Sequence, residues 1–312
     1  MNILIELPTW LGDTVMATPA IENIIKKYPD AKLTLFGSFV SIQTLKNHPN
    51  VIRTIVDDSK KSTFRYIKLY KIAKSLNSFD IAFSFRRTPA SRFFLFFIRS
   101  KRRFYYKRYT KNEIHQVIRY NDFVNRSLDL DFYPSKLKLY YKANRFEKPT
   151  LGINPGASYG SAKRWYPNRF AQVAKELSSR FDIIIFGGSN ELDIAKDIED
   201  DLIKSGVKNY KNLAGKTTLS ELIENIGGLS YFITGDSGPM HIAAAYDIPT
   251  VALFGPTKYK ETSQWMNQKS KIITHNLKCA PCMKRECPLI ENNHACMKEI
   301  SAKEVIKAVL TL

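Results

Sequence analysis

A chain of 312 residues with 44% hydrophobic content can build two domains of ordinary size with real cores, which excludes a disordered protein. Its 48 Lys and Arg against 29 Asp and Glu give a formal net charge of +19, which calls for a polyanionic partner: nucleic acid, an anionic membrane surface or a phosphorylated substrate. No signal peptide or spanning helix is expected, because Glu6 interrupts the run Ile3-Leu4-Ile5 and the apolar run 93–98 falls far short of the ~20 residues needed.

In chain order, residues 2–7 predict a buried strand and 14–27 a helix. Strands follow at 32–36 and 51–56, with a short helix over 40–46 between them. The spacing of Ile67, Tyr70, Ile72 and Ala73 predicts a helix over 64–76, followed by a strand at 80–84 and a helix over 114–128. The segment 140–149 (YYKANRFEKP) is polar, ends in Pro and reads as a linker. Alternation then restarts. Strands are predicted at 151–154, 182–186, 231–234 and 250–254, and helices over 167–180, 191–204, 219–226, 239–246 and 302–310. Two α/β halves with parallel, doubly wound sheets are expected, with ligands at the carboxyl ends of the strands.

Three loops carry polar chemistry. Leu7-Pro8-Thr9-Trp10-Leu11-Gly12-Asp13 follows the first strand and places a carboxylate where a strand gives way to a helix. Asp13 reads equally as a helix cap and as a functional acid. The second loop runs from Asn154 through Pro155, Gly156, Ala157, Ser158, Tyr159, Gly160, Ser161 and Ala162 to Lys163 and Arg164. Its small residues, hydroxyls and paired cations suit a diphosphate, although its spacing is neither that of a Walker loop nor GxGxxG. The third, Thr234-Gly235-Asp236-Ser237-Gly238-Pro239-Met240-His241, joins a buried strand to an apolar helix. Its glycines allow close backbone approach, and Pro239 suits a first helical turn.

Residues 86–111 contain ten Lys and Arg and no acid: Arg86, Arg87, Arg92, Arg99, Lys101, Arg102, Arg103, Lys107, Arg108 and Lys111. The charges are expected to meet an anionic membrane or acceptor. The run Phe93-Phe94-Leu95-Phe96-Phe97-Ile98 among them is expected to be a buried helix on the sheet. All four cysteines come late, at Cys279, Cys282, Cys287 and Cys296. A CxxC with two later cysteines can hold structural zinc, with His294 as a substitute ligand. A second CxxC is absent, however, so reduced or redox-labile thiols are the favoured reading.

The strings PTWLGDTVMATPAI, NPGASYGSAKRWYPNRF and TGDSGPMHIAAAYDIPTVALFGPT resemble glycosyltransferase family 9, the heptosyltransferases of lipopolysaccharide core synthesis. CAPCMKRECPLIENNHACM resembles the branch that adds the second heptose, heptosyltransferase II. The resemblance implies a GT-B fold, two Rossmann-like doubly wound parallel-sheet domains facing across a cleft. Residues 1–145 would form the acceptor-binding domain and 150–300 the nucleotide-sugar-binding domain, with the helix in 301–312 packing back on the first. It also implies inverting transfer of L-glycero-D-manno-heptose from ADP-L-glycero-β-D-manno-heptose to the heptose of the inner core, with no metal or cofactor required.

The family's base falls on Asp13 and its donor-phosphate contacts on Ser158, Tyr159 and Lys163; where some relatives carry two adjacent hydroxyl residues, such as Thr-Thr, this chain has Ser158-Tyr159. The surround of sugar and diphosphate falls on Asp236, Ser237, Gly238 and His241, and the nucleoside contacts on Glu191 and Thr217. The implied setting is cytoplasmic, peripheral at the inner face of the inner membrane. Another family-9 transferase, with a different heptose acceptor or nucleotide sugar, is the near alternative, and a nucleotide-sugar epimerase a further one. A nucleic-acid-binding protein rests on charge alone and lacks any zinc-finger, RRM or helix-turn-helix signal.

Overall fold

The computed structural model describes residues 1–157 and 159–312. The chain divides into two compact units, Met1–Tyr140 and Tyr141–Leu312.

In the first unit the order is β1 (Asn2–Glu6), α1 (Leu11–Met16), α2 (Thr18–Lys27), β2 (Lys32–Gly37), α3 (Phe39–Leu45), β3 (Val51–Val56), α4 (Arg65–Ser75), β4 (Phe79–Ser84), α5 (Pro89–Phe97), β5 (Ser100–Tyr105) and α6 (Gln116–Leu128). The five strands are all parallel in the order β3-β2-β1-β4-β5, so the connection reverses direction between β1 and β4. Central β1 is buried from Ile3 to Glu6, which its run of branched apolar residues supports on both faces. The outer strands β3 and β5 are mostly exposed and carry Arg53 and Lys101-Arg102-Arg103, charges that blunt a sheet edge. Helix α2 begins with Pro19 in its first turn, buries Ala20, Ile21 and Ile24 on one face and ends on Lys26 and Lys27, which complement the helix dipole. It is tied to α6 by Asn23 Nδ2 donating to Asn121 Oδ1 at 2.6 Å.

The second unit runs β6 (Thr150–Asn154), α7 (Pro167–Leu177), β7 (Asp182–Ile185), α8 (Leu192–Lys204), β8 (Tyr210–Asn212), α9 (Leu219–Gly227), β9 (Tyr231–Gly235), α10 (Gly238–Ala245), β10 (Thr250–Leu253), α11 (Tyr259–Thr262), β11 (Ser270–Ile273), α12 (Ala295–Lys298) and α13 (Ala302–Leu310). Its six parallel strands are ordered β11-β10-β9-β6-β7-β8, with the reversal between β6 and β9. Among the described residues, no helix is long and apolar enough to cross a membrane.

The expected linker, 140–149, holds the boundary between the two units, and its part 141–145 is fixed to the second: Asn144 N–H donates to the Glu224 carbonyl at 2.8 Å and the Tyr246 hydroxyl to the Tyr141 carbonyl at 2.9 Å, and a Cβ at Gly228 would overlap the Asn144 backbone. The closing helix α13 was expected on the first domain. Its stripe of Ala302, Val305, Ala308 and Val309 is instead buried against α7, β10 and β11 of its own unit. Amphipathic spacing says that a face is covered, not by what.

Candidate active site

In the second unit the loops after β6 and β9 flank the strand-order reversal, the place where doubly wound sheets bind ligands. Asn154 ends an otherwise apolar strand and ties the loops together: its Nδ2 lies 3.3 Å from the Gly156 carbonyl, from Thr234 Oγ1 and from Ser237 Oγ. Thr234 and Ser237 hydroxyls are 3.0 Å apart. Lys163 closes a short helical turn, Ser161–Lys163. Its Nζ sits 2.6 Å from Asp236 Oδ2 and 3.2 Å from the Asp236 carbonyl, and Thr262 Oγ1 donates to Asp236 Oδ1 at 3.3 Å. Both side chains of the pair are nearly buried. Tyr159 stacks beneath two cations, with Lys163 Nζ 4.6 Å and Arg285 Cζ 5.4 Å from its ring centroid. Helix α10 starts at Gly238 with Ser237 extended before it, so its first backbone N–H groups and positive dipole end lie beside Asp236.

Glu191 is buried, accepts from the Gly188 N–H at 2.8 Å, and occupies the space a Cβ on Gly156 would need. The loop after β6 therefore requires glycine there because a carboxylate packs against it. Thr217 lines a cavity of about 770 Å³, with Lys142, Arg145, Lys216, Glu221 and Glu224 among its other walls. Neither Lys163 nor Asp236 belongs to those walls. His241 is buried within α10. Ser158 lies outside the described residues.

In the first unit, Asp13 falls in the opening turn of α1, whose N-cap is Trp10; Asp13 is thus inside the helix rather than its cap. The Tyr120 hydroxyl donates to Asp13 Oδ1 at 3.4 Å, and burial, with the Asp13 charge second, pushes the Tyr120 phenol well above its ordinary range. The loop leading to Asp13 is pinned by hydroxyls and a guanidinium. Ser38 Oγ donates to the Thr9 carbonyl at 2.8 Å, Thr14 Oγ1 to the Trp10 carbonyl at 2.9 Å, Ser41 Oγ to the Pro8 carbonyl, and Arg86 Nε to the Leu7 carbonyl at 2.7 Å.

Arg86 also reaches Asp57 Oδ2 at 3.1 Å and Glu6 Oε1 at 3.5 Å. Ser84 and Ser91 hydroxyls donate to the two Glu6 oxygens at 2.5 and 2.8 Å, and burial, outweighing Arg86, raises the Glu6 carboxyl. Arg86 is thus withdrawn from the basic surface expected over 86–111. The stretch is partly structural elsewhere: Arg99, Arg102 and Arg103 donate to backbone carbonyls and Lys101 pairs with Asp80 at 2.8 Å.

Residues 85–292 match the family model described as glycosyltransferase family 9 (heptosyltransferase). Over the whole chain and 98% of its partner, the sequence is 41% identical to lipooligosaccharide heptosyltransferase 2 of Campylobacter jejuni. The chain belongs to glycosyltransferase family 9. Two solved structures share its fold. E. coli ADP-heptose lps heptosyltransferase II is 22% identical with a TM-score of 0.81, covering 100% of this chain and 98% of that one. A family 9 glycosyl transferase from Veillonella parvula is 22% identical with a TM-score of 0.83, covering 99% and 96%. This chain is thus a transferase of GT-B type, and its two parallel-sheet α/β units are the fold expected of that family.

Within this family-9 chain, sequence reading missed several residues around the loop after β6. The segment with the cysteines buttresses it: Ala162 N–H donates to the Arg285 carbonyl at 3.0 Å, the Tyr159 hydroxyl to the Met283 carbonyl at 2.9 Å, and the His294 ring spans the Ala162 carbonyl and the Tyr166 hydroxyl, each at 2.9 Å. The four cysteines are free thiols, and Cys287 Sγ accepts from the His294 N–H at 3.2 Å. Burial, then the neighbouring Cys279, Cys282 and Cys287, push the Cys296 thiol up to about 11. Among the described residues, no group of three or more His, Cys, Asp or Glu is placed to hold a metal. In the first unit, a polar end on an apolar strand, Glu6 after Ile5, was the signal available for another missed residue. Thr262 had none.

Proposed function

We propose that this protein is a heptosyltransferase II: it moves L-glycero-D-manno-heptose from ADP-L-glycero-β-D-manno-heptose onto the heptose of the lipopolysaccharide or lipooligosaccharide inner core, with inversion at the anomeric carbon. The observation that carries the reading is the nearly buried Lys163–Asp236 pair at the strand-order reversal, in a chain 41% identical end to end to a protein of that name.

The second unit takes the donor. Lys163, with Arg164 beside it in sequence, meets the diphosphate and neutralises the charge that grows on departing ADP; Ser158 and Tyr159 contribute from the same loop. A diphosphate competes with Asp236 for Lys163, and the α10 N-terminal amides supply further donors. Ser237, Gly238 and His241 complete the surround of sugar and diphosphate, while Glu191 and Thr217 meet the nucleoside. The first unit takes the acceptor, and Asp13 removes the proton from its attacking hydroxyl. A carboxylate can do this within hydrogen-bond reach of that hydroxyl. Water must be kept from the donor during transfer, which closure of two domains would achieve. The acceptor is lipid-borne and anionic, so the enzyme works at the inner face of the inner membrane.

The test is incubation with ADP-heptose and a panel of defined truncated cores, followed by mass spectrometry of the products. The proposal expects one added heptose on the core that already bears one. Addition only to a heptose-free core, or donor turnover without any acceptor, would replace it.

A further inference from the structure

We propose that the outer face of α4 and α5 in the first unit docks onto an anionic phospholipid bilayer. The six-residue apolar run in α5 does not enter the core as a block. Phe94 and Leu95 are buried with Leu69 and Ala73 of α4, but Phe96 is 68% exposed. Phe64, at the mouth of α4, is also 68% exposed, and Tyr66, Ile67 and Tyr70 are 48%, 54% and 41% exposed.

Tyr66, Tyr70 and Phe96 join Phe93 and Phe97 in one continuous ridge, and Phe64 and Ile67 are exposed on the same helix as the two tyrosines or at its mouth. Tyr66 packs edge-on to Phe93 at 5.0 Å, Tyr70 to Phe97 at 4.9 Å, Phe93 to Phe97 at 4.8 Å and Phe96 to Phe97 at 5.1 Å. Phe93 and Phe97 rest on the core with Phe94 and Leu95, while Phe96, Tyr66 and Tyr70 stand outward from them. A contiguous exposed apolar patch of this kind marks an interaction surface.

Charge selects the occupant. Between Ser59 and Asn112 there are sixteen Lys and Arg, of which Arg86 is buried and Arg99, Arg102 and Arg103 are tied to backbone carbonyls, and a single acid, Asp80, which is paired with Lys101. Helix α4 contributes Arg65, Lys68, Lys71 and Lys74 with no acid; Lys68 is paired with Asp58 at 2.6 Å. Lys74 Nζ lies 5.6 Å from the Tyr70 ring and 5.9 Å from Phe97, so cation and aromatics share one layer. Aromatic rings flanked by lysines are the composition of the membrane–water interface, where rings sit at headgroup level and lysines reach lipid phosphates. A second copy of this chain would bring like charge to like charge, which disfavours self-association on this face.

The inference rests on the reading of a lipid-borne acceptor, and it is tested without donor or acceptor so that the two can fail separately. Flotation with vesicles of phosphatidylethanolamine and phosphatidylglycerol, and with phosphatidylcholine vesicles, is measured for the full chain and for Phe64→Ser/Phe96→Ser and Lys71→Glu/Lys74→Glu. Unchanged melting and ADP affinity confirm that each variant is folded. Wild type is expected to float with the anionic vesicles, less so at high salt and little with phosphatidylcholine. Each double variant should bind the anionic vesicles about tenfold or more weakly. Wild-type-like flotation of both variants, no flotation of wild type, or retention by single-stranded RNA in place of vesicles would overturn it.

Discussion

Replacing Lys163 by Met strips one partner from a pair whose side chains are 11% and 7% exposed and whose charged atoms are 2.6 Å apart. Removing one member of a buried pair leaves an uncompensated charge, at about 3–5 kcal/mol when burial is complete. Asp236 keeps the Thr262 hydroxyl at 3.3 Å and neither side chain of the pair is wholly buried, so a cost below that range, about 2–3 kcal/mol, is expected in chemical denaturation. Asp236→Asn should cost a comparable amount by stranding the ammonium. The double variant should recover much of the loss, with a coupling of about 1–3 kcal/mol, because neither charge remains to be stranded. Transfer should behave differently. Loss of one electrostatic group on the leaving diphosphate costs about 2–4 kcal/mol in activation, some 30- to 1,000-fold in turnover. The double variant should not recover it. Additive stability losses would show that the pair is not coupled. Turnover of Lys163→Met within threefold of wild type would remove Lys163 from leaving-group stabilisation.

Other consequences follow from single contacts. Gly156→Ala should weaken ADP binding and lower the melting temperature, because its Cβ overlaps the Glu191 carboxylate; calorimetry with unchanged ADP affinity would contradict that. Burial alone would raise Glu22, but hydrogen bonds from His48, Tyr140 and Lys138 hold it down to about 2, against an ordinary 4.5. Its stabilising contribution is therefore full above pH 4.5 and is lost as pH falls towards 2. After allowance for solvent screening it is worth about 1–2 kcal/mol. Glu22→Gln should melt lower at neutral pH, with the gap closing in acid; a gap that widens in acid would refute the assignment. Cys296, pushed up to about 11, should be the slowest of the four thiols to alkylate at pH 8, speeding up as pH rises. Peptide mapping that finds it modified first would refute this.

The parts of the fold written in local periodicity were legible. Strands β1, β6 and β9 are short apolar runs punctuated by Pro or Gly, and each leads into one of the three loops singled out from sequence. Strand β5 was not recognised, because SKRRFY has the composition of a basic surface segment and becomes a strand only by pairing with β4. The short β8 and β11 likewise owe their identity to their neighbours. Arg86 read as surface charge, and its burial depends on two carboxylates, Glu6 and Asp57, brought from distant strands. The phenylalanines read as a buried block, yet a helix turns 100° per residue, so burying Phe94 and Leu95 carries Phe96 outward. In the loops after β6 and β9, sequence marked Lys163 and Asp236 but not their 2.6 Å pairing, nor the support of the first of these loops by Arg285 and His294 from more than a hundred residues away.

The carboxylate in the first turn of α1, Asp13, is the proposed base. The most direct measurement is heptose transfer by Asp13→Asn on the true acceptor, with ADP affinity determined on the same preparation. A neutral amide cannot accept the hydroxyl proton, so transfer should fall by about a thousandfold or more, within the range of general-base catalysis and beyond its lower end, while ADP binding stays as in wild type. Near-normal transfer by that variant would contradict the assignment of Asp13 as the base.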